Sequence, residues 1–159
     1  MPLLAAALAL PLLLLAEEAP PVPLVAAVAL EPAGDPASSG IPLARDGESA
    51  VDPSATFRVE VGVPLAGARL ALYDAQEALV PSEGLAEIGS AGSVFTLSPR
   101  PPLRPGSRYV LRLEGAAEQE IRDLSGRSYR PLTFPLRTTG EPLPDPPPRK
   151  PRKPRKPRR

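Results

Sequence analysis

Hydrophobic positions fall into short runs that alternate with polar ones at period two, the spacing of strands with one buried face. From Thr56 to Val63, Phe57, Val59, Val61 and Val63 alternate with Arg58, Glu60 and Gly62. From Ala68 to Tyr73, Leu70 and Leu72 share one face and Arg69 takes the other. Val94 to Leu97 supplies an inward pair, Phe95 and Leu97. Tyr109 to Glu114 turns Tyr109, Leu111 and Leu113 inward, with Arg112 and Glu114 outward. Leu132 to Thr138 aligns Leu132, Phe134 and Leu136. Pro135 cannot donate to a ladder, which predicts that this strand is irregular or at an edge there. Leu79 to Ile88 predicts a weaker strand, interrupted by Pro81, Ser82 and Gly84.

The flanking stretches carry less pattern. Pro20 to Leu30 (PPVPLVAAVAL) offers a short apolar strand after a proline-stiffened lead. Glu31 to Pro53 holds Gly34, Gly40, Gly47 and four prolines and reads as loop, with Gly40 to Leu43 as a short edge segment inside it. Pro105-Gly106 and Ser125-Gly126 are turns in which glycine admits positive φ. Ala116 to Leu124 reads as a connection, a helical turn being the alternative because Ala, Glu and Gln favour it. Six or seven short strands with turns between them predict an all-β fold, a single β-sandwich.

Composition places the packed body within this pattern. All six aromatic residues lie between Phe57 and Phe134, and such side chains supply much of a small core. The 159 residues suit one domain, expected over 20–140, and 25 prolines argue against long helices. There is no cysteine and no histidine. That removes disulfides, thiol nucleophiles, Cys/His zinc sites and the commonest general base. With no G-x-S-x-G and no phosphate-cradling glycine loop either, the reading is non-enzymatic, with no cofactor and no small-molecule substrate.

Residues 1–19 read as a secretory signal peptide. Met1 to Ala16 is an apolar run ending in small residues before Glu17-Glu18, with cleavage expected after Ala16 or Ala19. No Lys or Arg precedes the run, and an apolar N-terminal helix or anchor is the alternative. A membrane span needs roughly 20 apolar residues, so no transmembrane segment is expected in the mature chain. The expected location is secreted, periplasmic or at the cell envelope.

Net charge is +1, but it is segregated. Arg149, Lys150, Arg152, Lys153, Arg155, Lys156, Arg158 and Arg159 carry eight positive charges with no acid among them, whereas the rest holds eleven basic and eighteen acidic residues, a net −7. Pro148 to Arg159 repeats every three residues, the period of polyproline II. In that conformation Pro, Arg and Lys would each line one edge, with like charges recurring every ~9 Å along a rod of roughly 35 Å. Such a tail, within a Pro/Arg/Lys-rich disordered segment expected over 141–159, suits an anionic envelope polymer, lipopolysaccharide or extracellular DNA. A solvated end, or one folded onto the acidic body, is the plainer alternative. A nucleic-acid-binding protein using the tail, and a structural spacer with no ligand, are the rival functions.

The run Phe95-Thr-Leu-Ser-Pro99, followed by Pro102-Leu103-Arg-Pro105-Gly106-Ser-Arg-Tyr109-Val-Leu111-Arg-Leu113, resembles the second half of bacterial Ig-like domains of the S-layer (SbsA-like) type. Ile121-Arg-Asp123-Leu-Ser-Gly126-Arg resembles their "v.D.aGn" turn, and Leu132 to Gly140 their closing strand. Leu30-Glu31-Pro32 and Gly40-Ile41-Pro42-Leu43 fit the family's opening. The resemblance covers about residues 24–140 and is strongest over 94–140. Arg127 stands where the family has Asn, and 45–54 looks like an insertion. The resemblance implies an Ig-like Greek-key sandwich of about seven strands, used as a spacer or adhesive module of surface and secreted proteins.

Three residues are candidates for structural roles. Tyr109, opening a strand after Pro105-Gly106, is expected inward with its hydroxyl bonded to nearby backbone, as in a tyrosine corner. Asp123 is expected to accept backbone N–H bonds in an Asx-type turn completed by Gly126. A calcium site built from Asp123 with Glu118 and Glu120 is the alternative, but it lacks the six to eight oxygens calcium takes.

Overall fold

The computed structural model describes residues 21–22, 26–31, 41–43 and 47–144; the expected signal segment and the basic tail lie outside them. The chain is all-β, with one short 3₁₀ turn, Ala116–Glu118, among the described residues. In chain order the strands are β1 (Ala26–Glu31), β2 (Ile41–Pro42), β3 (Ser49–Val51), β4 (Thr56–Val61), β5 (Leu65–Ala66), β6 (Ala68–Asp74), β7 (Ser82–Ile88), β8 (Ser93–Pro99), β9 (Arg108–Gly115), β10 (Ile121–Asp123), β11 (Ser128–Tyr129) and β12 (Leu132–Thr138).

The five-stranded sheet runs β2-β1-β4-β8-β7 and the four-stranded sheet β3-β12-β9-β6; a small third sheet runs β11-β10-β5. Neighbours are antiparallel except β3, which lies parallel to β12. Register aligns the apolar faces. Val59 sits opposite Phe95 and Phe57 opposite Leu97 in the first sheet. In the second, Leu111 faces Phe134 on one side and Leu72 on the other. These side chains merge into one buried cluster, so the two sheets pack face to face in a sandwich-like arrangement. Phe57, Phe95 and Phe134 are its largest fully buried members; burying each contributes about 1.5–3 kcal/mol.

The inward residues of β4, β8, β9 and β12 are those that the alternation predicts. At Pro135 the structure shows why a proline is tolerated. β3 covers only Leu136 to Thr138, so at Pro135 β12 has β9 on one side and no strand on the other among the described residues. Within the edge segment expected over Gly40 to Leu43, Ile41–Pro42 does form an edge strand, β2 beside β1.

Three segments differ from what the hydrophobic pattern predicts. The connection expected over Ala116 to Leu124 is a 3₁₀ turn followed by β10, which pairs with β5 and β11. The loop expected over Glu31 to Pro53 contains β3, whose Val51 is buried. The strand expected from Leu79 begins at Ser82; before it, Leu79 makes only a bridge to Tyr73.

Candidate functional surfaces

At one end of the sandwich the turn before β9 and the chain following β12 are tied together. Tyr109 is buried, and the Arg104 N–H donates to its hydroxyl at 3.0 Å. Thr138 Oγ1 accepts from the Ser107 N–H at 2.9 Å and donates to the Arg104 carbonyl at 2.6 Å. Gly106, at φ +65°, lets Pro142 approach where a Cβ would lie 2.7 Å from its ring. The Arg104 guanidinium donates to the Leu143 and Pro144 carbonyls, each at 3.2 Å, so 141–144 leaves the body along a defined path.

A half-open cavity of about 490 Å³ lies beside this turn, lined by Asp74, Leu79, Leu103, Arg104 and Tyr109 among others. Several of its polar groups hold the surrounding backbone in place. Asp74 Oδ1 accepts from the Gln76 and Ala78 N–H groups at 2.9 Å each; Tyr109 and Arg104 are engaged as above.

Asp123 ends β10. Its Oδ1 accepts from the Ser125 N–H (2.9 Å), the Ser125 hydroxyl (2.6 Å) and the Arg127 N–H (3.0 Å), and its Oδ2 accepts from the Tyr129 hydroxyl (2.8 Å). Gly126, at φ +88°, lets its N–H turn back to the Asp123 carbonyl at 3.0 Å. The Ser125 hydroxyl bond, with the Tyr129 and backbone donors, holds the carboxyl at about 2, below its usual 3.8. The same carboxylate raises the Tyr129 hydroxyl's pKa. Glu120 is drawn away to the Ser128 hydroxyl and Arg122. Among the described residues no group of three or more acidic side chains is placed to hold a metal ion.

The outer face of the second sheet carries a network that the sequence alone does not reveal. Register sets Arg69 opposite Glu114, and Arg69 donates to Glu114 Oε1 at 2.7 Å while the Tyr73 hydroxyl donates to the same oxygen at 2.6 Å. Arg112 stacks over the Tyr73 ring at 4.8 Å and pairs with Glu77 at 2.7 Å. Hydrogen bonding to Glu114 raises the Tyr73 pKa above its usual 10. The alternation places these residues outward, but only the strand pairing brings them together.

The proposed polyanion-binding residues Arg149, Lys150, Arg152, Lys153, Arg155, Lys156, Arg158 and Arg159 lie outside the described residues. No helix among the described residues is long and apolar enough to cross a membrane. In comparisons with known proteins, no family model and no curated protein sequence matches the chain.

Proposed function

We propose that the chain is a non-enzymatic, exported Ig-like module, a structural or adhesive protein of the cell envelope or extracellular space. Its cationic tail tethers it to anionic polymers. The observation that carries this reading is the charge segregation, eight basic residues and no acid in 149–159 against a remainder of net −7. A dense, regularly spaced cationic arm gains from a polyanion mainly through released counterions. The Arg104 contacts to Leu143 and Pro144 support it, because they fix the chain just ahead of the basic residues at one end of the module.

Strand order supports the Ig-like part. The series β1-β4-β8-β7 and β6-β9-β12 follow the A-B-E-D and C-F-G orders of immunoglobulin constant-type sheets. The Tyr109 hydroxyl, bonded to backbone five residues upstream, matches a tyrosine corner in kind. The absence of His and Cys from the chain supports a role without catalysis.

The test is retention on immobilised heparin and on lipopolysaccharide, comparing the full chain with one truncated after Pro147. The full chain is expected to bind in a salt-sensitive way and the truncated one to elute near the void. Equal retention of the two would refute the tether. Retention on duplex DNA alone would favour nucleic acid as the polyanion.

A further inference from the structure

The free edge of β7 differs from the other boundaries of the two large sheets. All seven of its residues pair with β8 in unbroken register, and among the described residues no strand pairs with its other side. Alternate backbone N–H and C=O groups along that side are open to a further strand. Natural edges are protected by proline, charged side chains, bulges or short length; Ser82–Ile88 has no proline, lysine or bulge, and its only charges are two glutamates, which repel acidic strands and attract basic ones. Leu85, Ile88 and the neighbouring Leu79 are exposed by 61%, 52% and 58%.

The core-facing side of this edge is also unfinished. Gly84 and Ala86 pair with Leu97 and Phe95, whose side chains point inward, yet both are exposed. They are small, and the opposite sheet does not reach over them. A cleft of about 310 Å³ remains, lined by Leu70, Leu72, Leu79, Val80, Gly84 and Leu97. The facing β6 edge is partly closed, since the Val80 N–H donates to the Leu72 carbonyl at 2.8 Å. An incoming strand is therefore received by β7, and every second side chain of it would enter the cleft.

Charge specifies what that strand is. Glu83, Leu85 and Glu87 form the outward side of β7, opposite Ser98, Thr96 and Val94. Glu83 meets Arg100 at 3.0 Å, with both side chains largely in solvent, a weak pair. Glu87 has no cation among the described residues. Opposite charges across a strand pair are favourable and like charges are not. A second copy paired antiparallel about Leu85 would set Glu83 against Glu87 twice. The chain's own tail has proline at every third position and cannot supply a continuous ladder. We propose that β7 is a docking site for an extended peptide segment with alternating basic and apolar residues, bound as a sixth strand with its apolar side in the cleft. This surface is independent of the tail.

The test uses the full chain and a fluorescent octapeptide of alternating Lys and Val, with two controls. One control is the same peptide methylated on every backbone nitrogen, which keeps its charge and removes its donors. The other is the double variant Glu83→Lys/Glu87→Lys, altered only at exposed positions. Each is expected to weaken binding about tenfold or more, and the peptide is expected to slow amide exchange in β7. Equal binding of the methylated peptide would show attraction to net charge alone and overturn the proposal. So would protection confined to another strand, or self-association that occupies the β7 edge and is lost in the double variant.

Discussion

The Asp123 carboxylate accepts four hydrogen bonds from three residues within the next six positions. No other group need be supplied from far away, so a short side chain is enough to fold the β10–β11 connection. The cost appears in the pH dependence. The folded carboxyl titrates at about 2 against an ordinary 3.8, so between those values the unfolded chain binds more protons. The stabilisation is complete above about pH 4 and is lost as pH falls through the folded value. Asp123→Asn keeps an acceptor but has no carboxyl to titrate. Its unfolding free energy, measured in urea from pH 5 to 2, is expected to fall less steeply than the parent's. Parallel curves for the two proteins would contradict this account. Gly126 and Gly106 both hold positive φ, but only Gly106 is also crowded, by Pro142.

At the scale of elements, Ser93 joins β8 to the chain entering β5. Its Oγ accepts from the Leu65 N–H at 2.8 Å and donates to the Val63 carbonyl at 3.2 Å, and both Ser93 and Leu65 are buried. Ser93→Ala removes the acceptor and leaves a buried amide unsatisfied, a loss of about 1–3 kcal/mol. The midpoint of denaturant unfolding is expected to fall with its slope unchanged; an unshifted midpoint would show that water replaces the hydroxyl. The sequence draws no attention to Ser93, and the reason is general. β4, β9 and β12 are legible because six to eight residues give the period-two signal room to repeat. β3, β5, β10 and β11 have two or three residues. Each contributes a single buried apolar side chain, Val51, Leu65, Ile121 or Tyr129, and one residue has no period. The surroundings of Tyr109 and Asp123 are legible because their partners lie within six residues. Arg69 and Glu114 are 45 positions apart, and nothing short of the strand order joins them. The β7 cleft is illegible for the same reason, since it lies between two sheets.

At the scale of the molecule, the partner proposed for the tail depends on compartment. A cationic arm binds any dense polyanion by much the same counterion physics, so its charge pattern cannot choose between an envelope polymer and cytoplasmic nucleic acid. The module gives no further discrimination, because the ties from Arg104 to Leu143 and Pro144 would form in either compartment. The choice therefore falls to the other end of the chain, where Met1 to Ala16 is apolar and Glu17-Glu18 follows. Under the export reading, a peptidase that prefers small residues cuts after Ala16 or Ala19. The native protein is then expected to begin at Glu17 or Pro20, which intact-mass measurement of the purified chain resolves directly. A native start at Met1 or Pro2 would remove the grounds for export. Heparin and lipopolysaccharide would then be poor mimics of the physiological partner, and duplex DNA, with a log–log salt slope of up to about −7 if all eight charges engage, becomes the polymer to titrate.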